Sequence, residues 1–498
     1  MPVQQLSDKT APKDCKKCQL RRIKCDRSLP GCNKCAKRSL ECPGYGIAVR
    51  WAQGVASRGK LQGKSIPLRD APAATSSLPH GLNSVLSSVE NMQDQLEVPP
   101  SPSNPCFLDP QTPHAPQLLQ YFMERVARRL AWIDGPENPW RHVVLPLLEG
   151  SETVLSSILA LTAHDMASQY PIGDVWCDKF QRISKSYQNK ALRLLASELI
   201  ILRRPPDSRS AHTISTPILA SAIILCNAEL LTAQEAGWRV HLQAAREVIQ
   251  AETGRSLLQQ QADRMEEFFL QEFYATSVWA HLTTFHDIDE IVQIPLAGSR
   301  DAVFTDFIRI IHQITQAERI KARAELLQLP PPDLIPCVDV HIQLELARRS
   351  AVCLGQSIQF WSDNDRCAFE HLAWMYFHAS LIYSYQALAD PRICQTPIRQ
   401  SRDAILTNLH ALSGTGNEMF AQNFVWPLFI AGTEFRGNRA SQKLIERHLT
   451  NVMRISRTLD RNRVLSFLKD WWTLPNSQCI SWIELARKRA WACGFFLA

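Results

Sequence analysis

Beyond residue 115 apolar side chains recur every three or four positions. In QLLQYFMERVARRLAWID, Leu118, Phe122, Val126, Leu130 and Ile133 fall on one face of a helix. The pair Gly135-Pro136 then breaks the run. Ser151 precedes a second run, Val154, Leu155, Ile158 and Leu161, and stands where a side chain can cap the first turn. WRVHLQAAREVIQ, DRMEEFFLQEFYATSVWAHL and EHLAWMYFHASLIYSYQAL repeat the pattern toward the C-terminus, and the period-two alternation of strands is scarce. The spacing therefore predicts an all-α body over residues 116–498 whose apolar stripes are core. In the basic stretch 436–463, Leu444, Ile445, Leu449, Val452 and Ile455 mark a core side, which makes its cationic side a solvated face rather than a nucleic-acid contact. Cys226, Cys353 and Cys367 sit in apolar surroundings and are expected to be buried and inert.

Residues 46–115 lack this periodicity. Gly, Ser, Ala and basic residues dominate at first, as in a flexible linker, and the proline cluster PPSPSNP at 99–105 marks its end. Between them, Leu82, Val85, Val89, Met92 and Leu96 are spaced 3, 4, 3, 4, an a/d seam over 80–98 that can pair two chains. The seam is barely two heptads long and carries the poor helix formers Asn83, Ser84, Ser87 and Ser88. Homodimer and monomer both remain open. No stretch reaches the ~18–20 apolar residues of a membrane span, and the N-terminal residues lack the apolar core of a secretion signal. A reducing, intracellular setting with no membrane partner is expected.

Charge sharpens the division. Residues 1–69 hold 16 Lys and Arg against 4 Asp and Glu, a net +12, which leaves −5 on the rest of a +7 chain. A basic arm on a mildly acidic body suits a polyanion partner. Within that arm lie six of the 15 cysteines, Cys15, Cys18, Cys25, Cys32, Cys35 and Cys42, as two copies of C-x2-C-x6-C. Zinc prefers four tetrahedral ligands and accepts thiolates. Two ions need eight ligand positions, and six thiolates supply eight when two of them bridge. The repeat makes its leading members, Cys15 and Cys32, the natural bridging pair. A disulfide knot lacks a secretion signal, and two independent four-cysteine sites would need eight cysteines. Residues 15–42 are too few and too polar for a core, so metal binding is expected to drive folding, at ~10–16 kcal/mol per structural site.

The stretch CKKCQLRRIKCDRSLPGCNKCAKRSLEC resembles the DNA-binding domain of the fungal binuclear zinc-cluster transcription factors. The resemblance implies a cluster of two zinc ions bridged by the first and fourth cysteines, and a short helix entering the major groove of double-stranded DNA at CGG-type triplets. It makes Arg21 and Arg22 the candidate base readers, and Lys16, Lys17, Lys24 and Arg27 the candidate phosphate contacts. Pro30 looks like the family's loop proline. Tyr45 and Trp51 look like packing residues that follow the cluster, while Gln19 replaces a usual basic residue. The chemistry agrees, because an Arg fork can bind guanine O6 and N7 together while lysines supply the salt-dependent phosphate attraction. The competing roles for Arg21 and Arg22, neutralising the cluster or forming part of a nuclear-import signal, are compatible with base reading, which is the favoured role.

The body is also similar to the fungal-specific transcription factor domain, from Gln117 through NPWRHVVLPLL (138–148) into ILALTAHDMA, and again at GWRVHLQAAREVIQ (237–250). The resemblance implies a regulatory role coupled to transcription. The sequence contains no nucleophile elbow, phosphate-cradling glycine loop or zinc-protease helix. His281, His286, Asp287 and Asp289 fit helix-end and loop polar groups better than a metal site. The expectation is a mostly α protein: a binuclear cluster at 11–45, a linker at 46–115 and an all-helical regulatory body at 116–498. Its expected function is that of a nuclear, zinc-dependent, DNA-binding regulator of RNA polymerase II genes, with the transcription machinery or co-regulators as partners and no enzymatic role. The alternative is a nuclear scaffold whose cluster contacts proteins rather than bases.

Overall fold

The computed structural model describes residues 14, 15, 18, 21, 23–28, 32–38, 40 and 42 near the N-terminus. Further along it describes 114–202, 215–231, 237–256, 264–285, 303–330, 332–389, 394–413, 420–457, 461–475, 481–489 and 497. The heptad segment at 80–98, Tyr45, Trp51 and most of the expected linker lie outside the described residues. The chain divides into two units, Met1–Ser77 and Leu78–Ala498.

In the first unit one short helical turn is α1 (Asn33–Ala36), whose N-cap Cys32 accepts the Cys35 amide on its own sulfur. The second unit is built from helices, with no strand among its described residues. It opens with α2 (Ala115–Tyr121), a π-helical turn (Phe122–Val126) and α3 (Ala127–Leu130). Next come α4 (Pro139–His142), α5 (Val144–Gly150), α6 (Glu152–Ala167), α7 (Val175–Leu202), α8 (Ser215–Leu230), α9 (Trp238–Ser256) and α10 (Arg264–His281). The remainder comprises α11 (Thr305–Leu326), α12 (Cys337–Ser357), α13 (Asp363–Leu388), α14 (Gln395–Ser413), a 3-10 turn (Ala421–Phe424), α15 (Val425–Thr433), α16 (Arg439–Ser456), α17 (Arg461–Thr473) and α18 (Trp482–Arg489).

The expected first stripe is present, with Leu118, Phe122 and Val126 buried, but the helix stops at Leu130 rather than reaching Ile133. Tertiary partners explain the early stop. Gln422 and Asn423 of the 3-10 turn donate side-chain amides to the carbonyls of Ala131 (3.1 Å) and Trp132 (2.9 Å), drawing that backbone out of the helix. Ser151 caps α6 as its position predicts, its hydroxyl accepting the Val154 amide at 3.2 Å. Ser362 does the same for α13 through Asp365, also at 3.2 Å.

Successive helices pair, α6 with α7, α8 with α9, α12 with α13 and α13 with α14, and α8 also lies on α6. Helix α13 contacts α11 and α15 as well, and it buries Phe369, Leu372, Met375, Tyr376, Ile382 and Tyr383 on several sides. A helix surrounded on several sides needs no polar stripe, and that is why its sequence shows little amphipathy. Helix α16 is the opposite case. Its Ile445, Leu449 and Val452 are buried and Leu444 and Ile455 half-buried, as the spacing predicts, while the basic residues occupy the outer side.

Cys226 is buried, but Cys353 and Cys367 are exposed, contrary to the sequence expectation. Each sits on the outward side of a helix whose buried positions lie elsewhere, at Ala351 and Gly355 for Cys353 and at Ala368 and Phe369 for Cys367. Apolar neighbours in sequence did not imply apolar neighbours in space. No described helix is long and apolar enough to cross a membrane.

Candidate metal centre and nucleic-acid interface

The six cysteines of the first unit come together. Cys15, Cys18, Cys25, Cys32 and Cys35 are buried and Cys42 is half-buried, with Ile23 packed beside them. The sulfur of Cys15 is 3.5 Å from that of Cys32 and 3.8 Å from that of Cys35, and Cys18 Sγ is 3.6 Å from Cys32 Sγ. Thiolates placed about 2.3 Å from a zinc ion in a tetrahedron stand about 3.8 Å from one another. The observed separations match the edges of such tetrahedra, so the donor set fits zinc. Cys25 gathers with Cys32 and the Asp26 carboxylate, and the Cys32 amide donates to Cys42 Sγ at 3.3 Å.

The two halves of the sequence repeat also repeat in the backbone. The Cys18 amide donates to Cys15 Sγ at 3.5 Å, and the Cys35 amide donates to Cys32 Sγ at 3.3 Å. Each leading cysteine thus accepts the same amide three residues on, an interaction that favours thiolate over thiol. Burial acts the other way and pushes the Cys15 thiol up to about 12. A thiolate in so apolar a setting calls for cations among the sulfurs, which two zinc ions supply.

Two carboxylates that the sequence reading did not single out hold the module together. Asp14 accepts the Arg27 guanidinium Nε at 2.6 Å and the Cys25 amide at 3.5 Å. Arg27 holds the Asp14 carboxyl below its ordinary value. Asp26 Oδ2 accepts the Asn33 amide at 2.9 Å and so ties the first repeat to the start of α1 in the second. The signal for Asp26 was its place beside Cys25, but nothing in the spacing named its partner.

Of the candidate DNA contacts, Arg21, Lys24 and Arg27 are described. Arg21 lies in a turn, half-buried, and its Nη1 has no acceptor among the described residues. Lys24 is exposed. Arg27 is exposed but engaged with Asp14, and its backbone is left-handed at φ 58°. Lys16, Lys17, Arg22 and Pro30 lie outside the described residues. So do His286, Asp287 and Asp289 of the set set aside above.

Cluster and helical body together define a chain that joins a six-thiol zinc module to an all-α domain. Residues 13–52 match the Fungal Zn(2)-Cys(6) binuclear cluster domain, and residues 117–496 match the Fungal specific transcription factor domain. The chain belongs to this family. It is 24% identical over 327 residues to the Acriflavine sensitivity control protein acr-2 of Neurospora crassa, covering 50% of this chain and 53% of that protein. It is 26% identical over 278 residues to the Pestheic acid cluster transcriptional regulator 3 of Pestalotiopsis fici, covering 47% of this chain and 48% of that protein. The chain spans about half the length of these curated relatives. No solved structure matches. The cluster domain is one that binds two zinc ions through six cysteines, the same six that gather here.

Proposed function

We propose that this protein is a nuclear, zinc-dependent, sequence-specific DNA-binding regulator of RNA polymerase II transcription. In this reading the cluster module enters the major groove and reads CGG-type half-sites. Arg21 and Arg22 bind guanine edges, while Lys16, Lys17 and Lys24 hold phosphates. The helical body passes a regulatory signal to the transcription machinery or its co-regulators. One observation carries the reading: six gathered thiols, four of them at tetrahedral spacing, flanked by a cationic side chain, Lys24, that the protein itself leaves exposed. The printed name of one relative, the Pestheic acid cluster transcriptional regulator 3, calls that protein a transcriptional regulator and supports the reading.

The test is a binding selection with the full zinc-loaded chain against random duplex DNA, repeated with a chelator. Enrichment of CGG-containing sites that disappears on chelation is the expected outcome, with paired triplets indicating a dimer and single ones a monomer. Zinc retention without enrichment of any sequence would overturn the base-reading role and favour a protein-contact scaffold.

A further inference from the structure

Two cavities lie inside the helical body, and they share Trp132 and Glu272 as lining residues. One, of about 110 Å³, is also walled by Trp279 and Tyr376, and the other, of about 200 Å³, by Trp140 and Phe268. A cavity of ~150 Å³ holds one benzene ring, so the larger compartment has room for one ring and the smaller adds part of another. The aromatic walls are fixed by mutual packing. Trp132 stacks on Phe304 at 5.2 Å and meets Tyr376 edge-on at 6.0 Å, and Trp140 meets Phe268 edge-on at 5.4 Å.

Glu272, on α10, is the unusual member of this lining. It is half-buried, lines both compartments, and forms no ion pair and accepts no hydrogen bond from any described residue. Arg129 and Arg461 line the smaller compartment, but both are engaged elsewhere. Arg129 pairs with buried Asp165, and Arg461 donates to Ser456 Oγ (2.7 Å) and to the Gln422 carbonyl (3.2 Å). The larger compartment is lined by two carboxylates, exposed Glu137 and half-buried Glu272, and by no Lys, Arg or His. Burial pushes the Glu272 carboxyl up to about 8, the mark of an acid with no countercharge. An unpaired carboxylate that faces two cavities calls for an explanation in a ligand, an ion or a catalytic role. The first fits best, because both compartments offer aromatic faces, which attract cations.

We infer that the helical body binds a small aromatic or otherwise apolar amine, with its ammonium on Glu272 and its rings against Trp132 in the paired compartments. The site is separate from the DNA-reading module and goes beyond the role proposed above. Its test contains no DNA, so its failure and that of base reading are independent. The zinc-loaded full chain is titrated calorimetrically with tryptamine and 1-naphthylmethylamine, and with their acidic counterparts indole-3-acetate and 1-naphthoate. At least one amine is expected to bind with one-to-one stoichiometry and both acids at least tenfold more weakly. Glu272→Gln is expected to weaken the amine at least tenfold while leaving the helical circular dichroism unchanged. Absence of binding by either amine, equal binding of an acid, or an unchanged amine affinity in a folded Glu272→Gln chain would each overturn the assignment. If that variant does not fold, the discrimination between amines and acids in the unaltered chain decides.

Discussion

Cys15 Sγ lies 3.5 Å from Cys32 Sγ, and the other thiols of the cluster are arranged about this pair. The two sulfurs form the edge that two tetrahedra would share. A substitution at either therefore opens both ion positions, while a substitution at half-buried Cys42 opens one. Zinc content measured by mass spectrometry is expected to fall from two ions per chain to below one in Cys32→Ala, and to about one in Cys42→Ala. A Cys32→Ala chain that kept a full zinc ion would rule out the shared edge.

Arg27 and Lys24 look alike in sequence, yet they occupy different circumstances. Lys24 is exposed, while Arg27 is engaged with Asp14 from a left-handed backbone. Lys24→Ala is expected to weaken DNA binding similarly across sequences and to lower the slope of log K against log salt by about 1, as loss of a phosphate contact does. Arg27→Ala is expected to act on the module itself, making zinc easier to remove by a chelator, and Asp14→Asn should have the same effect. If Arg27→Ala changes the salt slope as Lys24→Ala does and leaves chelation unaltered, Arg27 is a phosphate ligand after all.

Much of this arrangement was legible in the residues. Cysteine spacing alone identified the six thiols that gather, because metal coordination imposes a fixed ligand count on a short chain. Helical periodicity found the stripe from Leu118 to Val126 and the face of α16, and Ser151 announced its cap. What failed was whatever depended on partners distant in sequence. The helix end at Leu130 is decided by Gln422 and Asn423, nearly 300 residues away. The exposure of Cys353 and Cys367 depends on which side of each helix meets the core. Asp14 and Asp26 have ordinary sequence surroundings, and only folding brings them to Arg27 and Asn33.

Asp165 is another group defined only by the fold. It is fully buried, accepts the Tyr121 hydroxyl at 2.8 Å, pairs with Arg129, and lies 3.7 Å from Arg457. Removing it leaves two guanidinium groups without their anion near the centre of the body. Asp165→Ala is expected to destabilise the domain by ~3–5 kcal/mol, the usual cost of breaking a buried charge network. A shift of the urea midpoint at unchanged slope measures this. A loss below 1 kcal/mol would mean that solvent or another acid replaces the carboxylate.

The corrected cysteines make a simple chemical prediction. Iodoacetamide is expected to label Cys353 and Cys367 in the native chain well before Cys226 or Cys177, which are both buried. Burial also raises the Cys177 thiol above its ordinary value, lowering its thiolate fraction further. Peptide mapping after brief labelling reads the order directly, and early modification of Cys226 would contradict the packing of α8.

Buried His312 and half-buried Glu272 give the body opposite responses to pH. His312 accepts or donates a 2.9 Å hydrogen bond with Tyr274, and burial lowers its ring to about 4. Between an unfolded value near 6.5 and that folded value, the unfolded chain takes up a proton that the folded chain refuses. Its contribution is therefore complete above about 6.5 and is lost as pH falls toward 4. Glu272 has the reverse sign. Its folded value is raised to about 8, so between roughly 4.3 and 8 the folded chain keeps a proton that the unfolded chain releases. Stability from this group is full below the lower limit and declines as pH rises through the window, by at most about 1.4 kcal/mol per pH unit. Glu272→Gln removes only this second contribution. Thermal midpoints of the two chains, compared from pH 5 to pH 8.5 without added amine, should show a gain for the variant that widens steadily as pH rises. A difference independent of pH would mean that Glu272 is ionised throughout, with a countercharge that the described residues do not supply.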